Sequence, residues 1–219
     1  MEFNKLKDII TKLKVIPVIK LHHSEDAQPL AKALMDGGLP AAEITFRSDA
    51  AVESIKKIKT LFPKMLVAAG IIIDKAQVDQ AIEAGADFIV SPGLDIQLVQ
   101  YCQSKNIIIL PGIVTASEAQ SAIKLGLEIV KFFPAEASGG LKAISGLAAP
   151  FAQLNFMPTG GIDESNILTY LNHPKVLCCG GSWMVNEKLM NTKNFSEITK
   201  IVKNLMCTLN DININKGAV

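Results

Sequence analysis

Residues 107–136 read IIILPGIVTASEAQSAIKLGLEIVKFFPAE, and how that stretch is parsed decides the fold. An apolar run at 107–112 gives way to a helical pattern at 115–125, and a second apolar run follows at 127–133. "TASEAQ" at 115–120 offers a Ser or Thr cap before an acidic first turn, which is the punctuation of a helix start. The unit is therefore strand, capped helix, strand. Strands apolar on both faces and separated by helices indicate a parallel sheet covered by helices.

The same alternation runs outward in both directions. Further strands are predicted at 15–20, 41–46, 65–70, 87–92, 155–160 and 176–181. Helices are predicted near 26–36, 49–61, 74–84, 94–104, 140–149, 163–171 and 195–209. "EAGADF" at 83–88 supplies a glycine where one helix hands over to the next strand. Ahead of them all, Phe3, Leu6, Ile9, Ile10 and Leu13 recur at helical spacing and predict an amphipathic N-terminal helix. Eight strand–helix units of short period favour an α/β fold closed as a (β/α)8 TIM barrel over an open doubly wound sheet. No linker interrupts them, so one domain over residues 1–219 is expected. Pro92, Pro111, Pro134 and Pro158 each end a predicted strand and mark the C-terminal rim, where such a barrel builds its chemistry.

Composition narrows the partners. The chain has 22 Lys+Arg against 21 Asp+Glu and no dominant basic run, so neither nucleic acid nor an acidic membrane surface is expected. Hydrophobic residues at 49% and charged residues at 20% suit a soluble globular protein. The N-terminus lacks the apolar core of a signal peptide and no run reaches membrane-spanning length, so a cytoplasmic location is expected. Cys102, Cys178, Cys179 and Cys207 show no C-x-x-C spacing and read as reduced core thiols. His22 and His23 have no matching Cys or acidic set, so no metal site is expected. Trp183 reads as core packing.

Three features place charge or freedom where strands should be plainly apolar. Lys131 interrupts the run at 127–133 and by alternation shares a face with Ile129 and Phe133. A lysine facing into a barrel is a candidate nucleophile, because burial disfavours the charged amine and leaves its lone pair free for a carbonyl carbon. Glu43 interrupts the second strand, with Thr45 and Arg47 on the same face. Glu43 is a candidate general acid/base, and Arg47 at the strand's end suits a ligand carboxylate. A structural ion pair of Glu43 with Lys131 or Arg47 is the alternative. The turns "PTGGID" (158–163) and "CGGSW" (179–183) put Gly-Gly at two strand ends. Gly160, Gly161, Gly180, Gly181 and Ser182 are thus candidates for a phosphate cradle of backbone N–H groups.

"AAEITFR", "SPGL", "PGI", "KFFPAE", "PTGGI" and "GGSW", in this order and spacing, resemble the 2-keto-3-deoxy-6-phosphogluconate aldolase / 4-hydroxy-2-oxoglutarate aldolase family from about residue 15 to residue 190. The resemblance implies a (β/α)8 barrel, usually a homotrimer, that uses a lysine Schiff base with no metal or cofactor. It makes Lys131 the Schiff-base former and Glu43 the proton shuttle. Arg47 would hold the keto-acid carboxylate, with Thr159, Pro92 and Phe133 around pyruvate and the glycine turns on the substrate phosphate. The family usually reads "GAGT" after its third strand, whereas "AAGIII" here puts Ile71 where that Thr contacts pyruvate. Lys20 stands where many relatives carry an Arg near the substrate.

The implied activity is a carbon–carbon lyase of the Entner–Doudoroff type. It cleaves 2-keto-3-deoxy-6-phosphogluconate to pyruvate and glyceraldehyde 3-phosphate, and 4-hydroxy-2-oxoglutarate to pyruvate and glyoxylate. Ile71 motivates two alternatives: a preference for 2-keto-3-deoxy-6-phosphogalactonate, or a non-catalytic keto-acid-binding paralogue. A phosphate-sugar isomerase or epimerase with Glu43 as base is the alternative reading of the same charges.

Overall fold

The computed structural model describes residues 1–211 of the 219; residues 212–219 of the expected domain lie outside the described residues. The chain opens with α1 (Phe3–Leu13), followed by β1 (Val15–Ile19), α2 (Ala27–Asp36), β2 (Ala41–Thr45), α3 (Ala51–Leu61) and β3 (Leu66–Gly70). Then come α4 (Lys75–Glu83), β4 (Phe88–Val90), α5 (Ile96–Ser104), β5 (Ile109–Leu110), β6 (Gly112–Ile113) and α6 (Ala116–Lys124). The last part holds β7 (Ile129–Phe132), α7 (Gly140–Ala148), β8 (Asn155–Pro158), α8 (Ile167–Leu171), β9 (Cys179–Gly181), α9 (Glu187–Asn191) and α10 (Phe195–Asp211). The expected Thr cap is present as a full capping box: Glu118 N–H donates to Thr115 Oγ1, and Thr115 N–H donates to Glu118 Oε2. Gly85 takes the left-handed conformation after α4, with φ +89°.

Every strand pairing is parallel, in a six-stranded sheet ordered β5-β4-β3-β2-β1-β9 and a three-stranded sheet ordered β6-β7-β8. Only Pro111 separates β5 from β6, and isolated bridges Phe156↔Val176 and Thr159↔Gly180 tie β8 to the segment that ends in β9. Pro111 follows the end of β5 as expected, and β6 begins directly after it in the other sheet. It has no N–H to give the ladder, yet its carbonyl accepts from Lys131 N–H at 2.9 Å and the chain pairs on through Gly112. Two expectations are corrected. Helix α8 begins at Ile167 rather than near 163, because Asp163 accepts from Ser165 and Asn166 accepts from Asp163 N–H, a local turn that competes with helix. Cys102, Cys178 and Cys179 are buried and in no disulfide, as expected, whereas Cys207 lies on an exposed face of α10.

Period-two alternation sorts the strands into two apolar layers. Val67 and Ala69 of β3, like Val130 and Phe132 of β7, pack outward under the helices. Leu66, Ala68, Phe88, Ile129 and Met157 fill the inner face, and α1 adds Leu6 and Ile10 to that inner cluster. Helix α1 therefore plugs the end from which the strands start. Glu43 follows Ala41 in the inner register, and Lys131 follows Ile129. Both charged residues consequently stand on an apolar floor. Because Leu6 is fully buried in that floor, Leu6→Ala is expected to cost about 2–5 kcal/mol, read as a lowered urea midpoint with an unchanged slope.

Candidate active site

Glu43 and Lys131 come from strands β2 and β7, on opposite sides of the inner layer. Lys131 Nζ donates to Glu43 Oε1 at 3.2 Å, with the two residues 2% and 0% exposed. Desolvating either charge alone would be costly, so each is the condition for burying the other. The ring centroid of Phe133 lies 5.2 Å from the same Nζ. Thr45, on the face of Glu43, is not available to a ligand: its hydroxyl donates to the Ile19 carbonyl at 2.9 Å.

Above the pair opens a cavity of about 180 Å³. Lys131, Arg47, Ile71, Pro92, Phe133 and Thr159 line it, as do Gly160, Gly161, Gly180, Gly181 and Ser182. Glu43 lies beneath the lining, reached through Lys131. Lys20 is the one predicted site residue placed elsewhere: it lines a neighbouring groove of about 610 Å³ with His22, His23 and Lys193. Among the described residues, no group of three or more His, Cys, Asp or Glu side chains is placed to hold a metal ion. Two lining residues escaped the sequence reading. Val18 shares a face with Ile16 and was findable by alternation, while Ile162 follows the glycine turn with no periodic signal.

The turn after β8 is held by the segment after β7. Ala135 N–H donates to the Thr159 carbonyl at 2.8 Å, and Glu136 N–H to the Gly160 carbonyl at 3.0 Å. Gly160 and Gly161 both have positive φ, at +100° and +79°, and a Cβ on Gly161 would lie 2.6 Å from Glu136 Cγ. Only glycine satisfies both demands. Tyr170 donates its hydroxyl to Glu136 Oε1, and burial together with that carboxylate pushes the phenol well above its ordinary range. Ile71, at the opposite wall, also has a left-handed backbone (φ +57°), which is strained for a β-branched residue.

A family model described as KDPG and KHG aldolase matches residues 6–201. The chain belongs to that aldolase family. It is 45% identical over 197 residues to the 2-dehydro-3-deoxy-phosphogluconate aldolase of Haemophilus influenzae, covering 90% of this chain and 93% of that one. Its structure superposes on a KDPG aldolase from Legionella pneumophila with pyruvate captured at low pH as a covalent carbinolamine intermediate. The TM-score is 0.88 at 37% identity, over 90% of this chain and 96% of the other. A Zymomonas mobilis 2-keto-3-deoxy-6-phosphogluconate aldolase with 3-phosphoglycerate gives a TM-score of 0.84 at 39% identity, over 90% and 93% of the two chains.

In this aldolase-family chain, removing the cation strands its carboxylate partner. Lys131→Met is expected to lower stability by on the order of 3 kcal/mol, whereas Lys131→Met/Glu43→Leu recovers most of that loss. Chemical denaturation of the three proteins checks both outcomes.

Proposed function

We propose that the chain is a class I aldolase that cleaves 2-keto-3-deoxy-6-phosphogluconate to pyruvate and glyceraldehyde 3-phosphate, and 4-hydroxy-2-oxoglutarate in the same way. The observation that carries the reading is the buried Lys131–Glu43 contact of 3.2 Å beneath a cavity that also holds Arg47. In the proposed reaction the Lys131 amine attacks the C2 ketone, and loss of water from the carbinolamine leaves an iminium. Glu43 takes the proton of the C4 hydroxyl as the C3–C4 bond breaks. The bonding electrons move into the iminium to form an enamine, and the aldehyde departs. Protonation of the enamine at C3 and hydrolysis of the imine then release pyruvate and restore the amine. Arg47 meets the substrate carboxylate with paired donors, Thr159, Pro92 and Phe133 surround the keto acid, and the glycine turns with Ser182 receive the phosphate.

The same proposal takes residues 1–219 as one domain and the two sheets as one (β/α)8 barrel. The continuity of the chain through Pro111 and the bridges between β8 and the β9 segment support closure. It also takes the protein as a cytoplasmic homotrimer. Cysteines that form no disulfide among the described residues suit a reducing compartment, and the exposed Ile73 and Ile96 supply apolar surface for subunit contact. Among the described residues, no helix is long and apolar enough to cross a membrane.

Pyruvate with borohydride is expected to leave a stable reduced adduct on Lys131, located by peptide mass mapping. Lys131→Ala should lose both trapping and cleavage, and Glu43→Gln should lower kcat by about 10²–10⁴-fold. Full cleavage activity in Lys131→Ala would sink the mechanism. Ile71, in the cavity wall, favours a second reading of altered substrate preference. Ile71→Thr restores one hydroxyl, so kcat/KM with the gluconate-derived acid should rise about 5-fold, the equivalent of one hydrogen bond of about 1 kcal/mol. A parallel assay with the galactonate-derived acid shows whether Ile71 selects between them.

A further inference from the structure

Two buried side-chain atoms in or under the cavity have no hydrogen-bond partner among the described residues: Glu43 Oε2 and Thr159 Oγ1. Each belongs to a side chain that leans on a glycine of the adjacent strand. A Cβ on Gly70 would lie 2.3 Å from Glu43 Oε1 and 2.5 Å from its Cγ. A Cβ on Gly180 would lie 2.3 Å from Thr159 Oγ1. Neither glycine has the left-handed φ that would explain its choice. Both occupy ordinary ladder positions, Gly70 opposite Thr45 and Val90, Gly180 opposite Ile16 and Thr159. Glycine weakens a strand there, so its presence marks a close approach by a neighbouring group.

We infer that Gly70 and Gly180 are positioning residues whose missing side chains form the seats of Glu43 and Thr159. With Gly70, the Glu43 carboxylate can lie flat against β3 while it reaches Lys131. With Gly180, the Thr159 hydroxyl stays beside β9, at the cavity wall. Gly180 therefore acts on the keto-acid end of the site through Thr159, in addition to its place in the Gly-Gly turn at the phosphate end. The inference rests on the aldolase reading for its kinetic readout, while its packing claim stands apart from that reading.

Two double-mutant cycles test it. Displacing a catalytic group by about 1 Å costs on the order of 10²-fold, so Gly70→Ala is expected to lower kcat by roughly that factor with little change in KM. In a Glu43→Ala background, Gly70→Ala should cost nothing further, so the double variant should match Glu43→Ala in both kcat and thermal midpoint. Additive losses in kcat and midpoint would overturn the inference. If Gly70→Ala alone is too unstable to purify, the comparison is between Glu43→Ala and the double variant, which are expected to share one thermal midpoint, and a lower midpoint in the double overturns the seat. For Gly180, the probe is the rate of borohydride trapping with pyruvate, which has no phosphate. Gly180→Ala should slow trapping, and should add nothing to Thr159→Ala. Normal trapping with a raised KM for the phosphorylated substrate alone would confine Gly180 to the phosphate and refute its seat. Failure of the unaltered protein to trap pyruvate would instead sink the aldolase reading, leaving the midpoint cycles to judge the packing.

Discussion

A lysine and a glutamate meet at 3.2 Å inside a mostly apolar layer, and the remaining architecture follows from keeping them there. Neither charge tolerates burial without the other. The parallel strands hold the two at fixed depth, since both continue the inner register of Ala41 and Ile129. Helix α1 packs Leu6 and Ile10 into the far end of that layer, and the cavity opens beside Lys131 at the other. Burying an ion pair is a poor way to stabilise a sheet, and this one sits beneath a cavity.

Several local choices give up intrinsic stability to shape that site. Gly70 and Gly180 weaken their strands but leave room for Glu43 and Thr159. Ile71 holds a left-handed backbone that a β-branched residue disfavours, and projects an aliphatic chain into the wall beside Arg47 and Pro92. Behind the Gly160–Gly161 turn, the Glu136 backbone and the Tyr170 hydroxyl form a second support, so a mobile-looking glycine pair is in fact pinned. Deviations from good strand chemistry gather around one cavity, as expected for residues selected for the site rather than the fold.

Where local rules carried the sequence reading, the structure agrees: the cap at the start of α6 and the glycine after α4 both depend on neighbours within a few residues. Beyond Pro111 the chain pairs on in β6, and the Pro111 carbonyl accepts from Lys131 N–H. The disagreements arise where another contact outweighs the local pattern. Helix α8 starts late because Asp163 and Asn166 prefer their own turn. The short helix α9 follows an Asn186 cap, but five residues are too few to show a helical period. Lys20 continues the face of Val18 past the end of β1, and beyond the ladder alternation no longer dictates direction, so it lines the groove with His22 and His23.

From the sequence alone come the repeated strand–helix unit, the inward face of Lys131 and Glu43, and the glycine turns at two strand ends. These are consequences of a two-residue period and of residue chemistry. A period gives a face but carries no information about which strand lies across from it. Only the tertiary structure decided that Glu43 and Lys131 touch, that Lys20 stands apart, and that Gly70 and Gly180 are spaces filled by other side chains. Those facts depend on the stagger between strands far apart in the chain, and that stagger is set when the whole inner layer packs at once.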